Sequence, residues 1–194
     1  MSGRVDQPAA RRRGLGETGD VTEYLSYDAP GATRVGELTW ASTPTGYRRY
    51  EGSSLLGHGQ EVWDRASSAV LMWGVKTRSG FDVSLGPDSE LRVAPGQDRV
   101  LVARLGPWLL REPVRVMGVI DEADHCGFAY GTRKGHPVSG EEAFIVHRAP
   151  DGGVWLTLRS LTRPGEGWWR IVFPLTLLAQ YGYRTRYRRA LRAG

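Results

Sequence analysis

A chain of 194 residues with a net charge of +5 and a pI near 9.6 is of single-domain size and can bury a core without covalent staples. Its lone cysteine, Cys126, excludes an intramolecular disulfide, and no run of about eighteen apolar residues marks a membrane-spanning helix. All but two of the 26 basic residues are Arg and Asn is absent, which is the signature of a GC-rich genome more than of a surface selected for nucleic acid.

Residues 1–20 hold four Arg and four Gly and almost nothing large and apolar. They cannot offset the entropy of ordering, so a disordered arm is expected there, followed by one domain over 21–194. No apolar run of signal-peptide type opens the chain, and a cytoplasmic location is expected. Between Tyr24 and Tyr50, the apolar residues Val35, Leu38, Trp40 and Tyr47 stand among Gly and Pro, predicting one short strand and loops. In the next segment Val62, Ala66, Ala69, Val70 and Trp73 recur at helical spacing, which predicts a helix over 59–73 with one buried stripe. Gly57-His58-Gly59 lacks the Lys-Ser/Thr of a phosphate loop and the third Gly of a dinucleotide fingerprint, so it reads as the start of that helix, and no nucleotide or other cofactor is expected.

Pro and Gly then divide the chain into pieces rich in β-branched and aromatic residues, predicting strands over 100–105, 114–120, 127–131, 142–148 and 154–160. Ala149-Pro150-Asp151-Gly152-Gly153 is a hairpin turn between the last two. Val154, Leu156 and Leu158 alternate with Trp155, Thr157 and Arg159, giving that strand an interior face and an amphipathic one. Pro174 opens a terminal helix with Ala179, Tyr183, Tyr187, Ala190 and Leu191 on one stripe and Arg184, Arg188 and Arg192 opposite. Gly182 marks a kink or a close approach to the sheet. Tyr181, Tyr183 and Tyr187 interleave with these arginines as in single-stranded nucleic-acid sites, yet a solvated helix face is the expectation and no nucleic-acid partner is expected.

An early helix, a meander of strands and a long last helix define an α+β fold in which a curved antiparallel β-sheet wraps around the C-terminal helix. This is the helix-grip order, whose interior is often a ligand cavity. Five ordered motifs also carry a family resemblance: Leu56-Gly57-His58-Gly59; Phe128-Ala129-Tyr130-Gly131-Thr132; Gly135-His136-Pro137-Val138-Ser139-Gly140-Glu141-Glu142; Val154-Trp155 through Ser160-Leu161-Thr162-Arg163-Pro164; and Tyr187-Arg188-Arg189-Ala190-Leu191. From Tyr47 onward the chain resembles uncharacterised protein family 0548 (DUF1990), departing from it at Arg133-Lys134. The family has no assigned activity. The resemblance implies a helix-grip, START-like fold, shared by ligand carriers, polyketide cyclases and hormone receptors, and a small hydrophobic or amphipathic ligand as the partner.

The segment from Tyr130 to Glu142 concentrates chemistry-bearing groups in a Gly-rich loop between two strands. In one reading His136 is a general base, Glu141 or Glu142 orients it and Tyr130 donates to a developing oxyanion. In the other, Gly135, Pro137 and Gly140 shape a turn while His136 and one Glu satisfy backbone donors. Adjacent strand residues face opposite ways, and Glu142 shares the parity of Phe144 and Val146, so Glu142 is the inward carboxylate. It needs a partner, which the mid-strand Arg115 or Arg159 supplies in one reading; in the other, both are on the outer, solvated face. The candidate catalytic residues are therefore Tyr130, His136 and Glu142, and the candidate ligand-binding residues add Trp73, Arg115, Arg159, Trp168 and Trp169. These tryptophans, with Trp40, Trp108 and Trp155, either line a pocket for a flat apolar ligand or are ordinary core and rim residues. His58, His125, His136 and His147 show no metal-ligand spacing, so no metal is expected. Cys126 beside His125 reads as a packed thiol. The expected function is the binding of a small apolar or amphipathic molecule in an interior cavity; the alternative is a cyclase- or hydratase-type enzyme using the same cavity.

Overall fold

The computed structural model describes residues 25–41, 43–85, 90–105 and 107–192. The arm expected over residues 1–20 lies outside them. The elements run β1 (Arg48–His58), α1 (Gln60–Leu71), α2 (Gly74–Thr77), β2 (Phe81–Val83), β3 (Asp98–Leu105), β4 (Trp108–Asp121), β5 (His125–Thr132), β6 (Val138–Arg148), β7 (Gly153–Pro164) and α3 (Trp169–Ala190). The seven strands form one sheet in the order β1-β7-β6-β5-β4-β3-β2, every pair antiparallel. Register shifts between Leu55 and Gly57 in β1 and between Val116 and Gly118 in β4 add twist where the sheet curves.

All five expected strands are present, and each is longer than its apolar pattern. The hairpin turn is also found: Gly152 sits at φ +79° and the Ala149 amide bonds the Gly153 carbonyl. The short strand expected in the 24–50 region is replaced by β1, which starts at Arg48 and runs through the polar stretch Glu51-Gly52-Ser53-Ser54. Alternation on β1 is weak because it is an edge strand paired only with β7. The first helix ends two residues earlier than expected, and its stripe centres on Trp63, Ala66 and Val70. Trp73 lies between the two helices at φ +58°. α3 begins at Trp169, so Pro174 lies inside it rather than at its start. Gly182 makes no close approach: a Cβ built there meets nothing within 4 Å.

One core fills the concave side. Phe128, Phe144, Val146, Leu156 and Leu158 from the sheet meet Trp63, Ala66, Val70 and Leu71 of α1, Val75 of α2, and Tyr187 and Leu191 at the end of α3. Edge-on packing of Trp73 against Phe128 at 4.7 Å and of Phe144 against Tyr187 at 5.5 Å locks the aromatic centre. The convex side carries a second, small cluster of Ala129, Ala143 and Ile145 with Val35 above it. Residues 25–41 cross that face as a strap, anchored by the isolated bridge between Leu25 and Arg133 and by buried Leu25, Tyr27 and Trp40.

The β4 pairing with β5 begins at Val114, so residues 108–113 extend past β5 and pair with β3 alone. This projecting β3–β4 hairpin and the amino half of α3 leave the sheet uncovered between them, and a cavity opens there.

Candidate functional site

The cavity occupies about 340 Å³ between α3 and the concave sheet face. Its walls are mostly apolar: Phe81, Ala103 and Leu110 on one side, Trp168, Trp169, Val172 and Leu175 on the other. Its floor is polar. Sheet parity brings Glu112 from β4, Tyr130 from β5, Glu142 from β6 and Ser160 from β7 to the concave face, and Lys76 of α2 meets Tyr187 of α3 over them.

Lys76 is buried, at 2% exposure. Its ammonium donates to Tyr187 Oη at 2.7 Å and pairs with Glu142 Oε2 at 3.0 Å. Phe81, Tyr187 and Tyr130 rings surround Nζ at 4.5, 4.6 and 5.1 Å from their centroids, so aromatic faces replace the water that burial removed. The Tyr130 hydroxyl donates to the same Glu142 oxygen. Burial, with the charge of Glu142 next, lifts both phenols well above the ordinary tyrosine range.

His136 is 7% exposed and sits where the loop after β5 turns back. Nδ1 accepts from the Val138 amide at 3.1 Å and lies 2.9 Å from the Val138 carbonyl. Nε2 has no hydrogen-bond partner among the described residues and stands 3.7 Å from Glu112 Oε2, beyond bonding reach. Burial, and then the charge of Lys76, pushes the imidazole down to about 3, so the ring is neutral. Burial also pushes the Glu112 carboxyl up to about 7, Lys76 opposing and Glu142 adding to the rise. Arg184 closes the floor, its guanidinium 3.9 Å from the Tyr50 ring centroid and donating to Ser160 Oγ at 3.1 Å. It therefore leaves the solvated arginine face expected for α3, to which Arg188 and Arg192 do belong.

The sequence-derived site residues divide. Tyr130, His136, Glu142, Trp168 and Trp169 line the cavity together. Trp73 lies in the core behind Tyr130, 5.8 Å away between ring centroids. Arg115 is on the outer face, forked onto Asp98 by two bonds of 2.8 Å, and so does not partner Glu142. Nor does Arg159, which is on the convex side with its charge against Glu51 at 2.9 Å; Lys76 takes the role instead. Of the other tryptophans, Trp40 is a buried anchor of the strap itself and Trp108 is exposed at the hairpin tip. Glu141 faces the strap, accepting from Tyr27 Oη at 2.7 Å and from the amides of Gly31 and Thr33 at 2.7 and 2.9 Å. Lys76, Glu112 and Arg184 were not anticipated. Glu112 had a readable signal, an acid at the parity of Val114 and Val116.

Among the described residues no group of three or more His, Cys, Asp and Glu side chains is placed to hold a metal, and no helix is long and apolar enough to cross a membrane. Cys126 is buried against Asp121 and the Ser67 carbonyl, and its thiol is pushed up to about 12, first by burial.

The family model described as "Domain of unknown function (DUF1990)" matches residues 26–190. The chain belongs to the DUF1990 family. This DUF1990 domain is 32% identical over 188 residues to a UPF0548 protein of Deinococcus radiodurans, covering 88% of this chain and 91% of that one. It is 27% identical over 134 residues to a UPF0548 protein of Arabidopsis thaliana, covering 65% and 62%. Among solved structures, the hypothetical protein jhp0584 from Helicobacter pylori superposes with a TM-score of 0.57 at 6% identity, over 74% of this chain and 85% of that one. That likeness concerns the fold alone.

Proposed function

We propose that this domain holds one small apolar or amphipathic molecule between α3 and the concave sheet face. The observation that carries the reading is an apolar-walled cavity of about 340 Å³ ending on a buried polar floor. Such a combination supplies burial energy along the walls and orientation at the end. Native mass spectrometry of protein purified without added ligand tests it, together with titration of a neutral apolar dye. A co-purified molecule, or saturable one-to-one dye binding that Leu110→Arg abolishes without unfolding the protein, is expected. Absence of both sinks the reading.

A second reading, a cyclase- or hydratase-type enzyme, is favoured by Glu112 and His136. A carboxyl at about 7 can give and take a proton near neutral pH. Tyr130 and Glu142 are engaged with each other and with Lys76, so proton transfer falls to Glu112, with the neutral His136 beside it. Incubating the released molecule with wild-type protein and with Glu112→Gln tests this reading. A product that differs by one water or by a ring closure, formed only by wild type, is expected; identical mass spectra overturn it.

A further inference from the structure

The ionisable side chains that line the cavity form a balanced set. Lys76 and Arg184 supply two cations, Glu112 and Glu142 two carboxyls, and His136 is neutral; Glu141 turns its carboxylate to the strap. Lys76 is already engaged with Tyr187 and Glu142, and Arg184 with Tyr50 and Ser160. A ligand carboxylate at the floor would lie beside two carboxyls. A ligand ammonium would compete with Lys76 for the rings that already enclose it. Either would also have to shed its hydration on entering, a cost that a neutral end avoids.

Two unfilled polar valences belong to neutral groups. Nε2 of His136 and the side-chain oxygen Oε1 of Gln180 are both buried, both without a partner among the described residues, and both on residues lining the cavity. Glu112 lines the same space, its Oε2 3.7 Å from Nε2. A buried polar atom left unpaired is costly, so a ligand that fills it is favoured over one that does not.

We infer that the cavity selects a molecule uncharged at its buried end, an alcohol or carbonyl compound whose oxygen meets His136 Nε2 beside Glu112. This rests on the ligand-binding reading above and narrows it. An alcohol both donates and accepts, so it satisfies Nε2 in either imidazole tautomer and leaves the four charges balanced. A carbonyl takes the Nε2–H tautomer alone.

Competition against a neutral apolar dye at pH 8 tests the assignment, with decan-1-ol, decan-2-one, decanoate and decylammonium as probes. In His136→Phe the affinity for decan-1-ol should fall about tenfold relative to the affinities for the dye and for decanoate. Glu112→Gln should raise decanoate affinity, because it removes a like charge. Should His136→Phe fail to fold, the side-chain nitrogen-15 resonance of Nε2 in wild type should move with decan-1-ol and stay put with decylammonium. Unchanged alcohol affinity in His136→Phe, or an unmoved Nε2 resonance with alcohol bound, overturns the assignment while dye binding leaves the carrier reading standing. So does decanoate binding tightest of the four and losing its affinity in Arg184→Gln, which would make the cavity an acid site. If neither dye nor any probe binds, the ligand-binding reading itself falls.

Discussion

Glu141 and Glu142 are neighbours in sequence on one strand, yet they serve opposite ends. On the convex side Glu141 is saturated by a phenol, a hydroxyl and two amides of the strap. Arg159 beside it sends its guanidinium to the carbonyls of Thr33, Arg34, Glu37 and Leu38 at 2.8–3.3 Å. On the concave side, Glu142 and Lys76 are paired while Nε2 of His136 is left open. The difference separates two uses of buried polarity. A site whose valences are all filled from within the chain holds the fold together, whereas a site with unfilled valences facing a cavity is prepared for something else.

The sharpest break in that comparison is Arg159→Ala. It strands four carbonyls and leaves Glu51 with Arg49 alone, and should cost about 3–5 kcal/mol, read as a large fall in the urea midpoint. Dye affinity of the fraction that remains folded should be unaltered. A loss of affinity with little loss of stability would show that the convex side also serves the cavity.

Lys76→Met should cost less, about 2 kcal/mol, because Glu142 keeps the Tyr130 hydroxyl and some contact with the open cavity. Combining it with Glu142→Gln should recover part of that loss, since the double variant leaves no unpaired charge. Strict additivity in denaturant unfolding would mean that the pair is not coupled.

The pH dependence sharpens the contrast further. Glu112 is raised from an ordinary 4.5 to about 7, so the folded state holds this proton more tightly, and its contribution to stability falls as pH rises from 4.5 to 7. His136 is lowered from 6.5 to about 3, so its contribution is lost as pH falls below 6.5. The two slopes oppose between 4.5 and 6.5. Stability of Glu112→Gln should therefore climb more steeply over that window than stability of wild type. A curve parallel to wild type would place Glu112 in an ordinary solvent environment.

The smallest effect lies outside both sites. Gly182 is exposed in mid-helix with free space around it, so Gly182→Ala should raise stability by about 0.5–1 kcal/mol and leave dye affinity alone. A loss of stability would reveal a contact that the open surroundings do not contain.

The sheet was legible because β3 to β7 alternate or run apolar, and the inward turn of Glu142 followed from parity alone. The strap and β1 were not, because their order comes from partners distant in sequence: Glu141 and Arg159 hold residues 25–41, and β7 holds a strand whose own residues prefer loops. Arg159 misled for the same reason. An arginine in mid-strand says that a charge is buried, and only the chain crossing outside it says on which side. Lys76 and Glu112 belong to a cluster assembled from α2 and β4, and no local pattern joins them. Glu112 alone had a signal, which the parity rule applied to Glu142 would have found.

Pro174 has a consequence for motion. Having no N–H, it cannot donate to the carbonyl of Arg170, and around it Ile171, Leu175, Leu178 and Tyr181 expose large apolar side chains. The carboxy-terminal half is held by Tyr187 on Lys76 and by fully buried Leu191. One helix should thus behave as two cooperative units. Amides over 170–181 should exchange their hydrogens through a local opening far easier than global unfolding, while those near Tyr187 should exchange only when the whole domain opens.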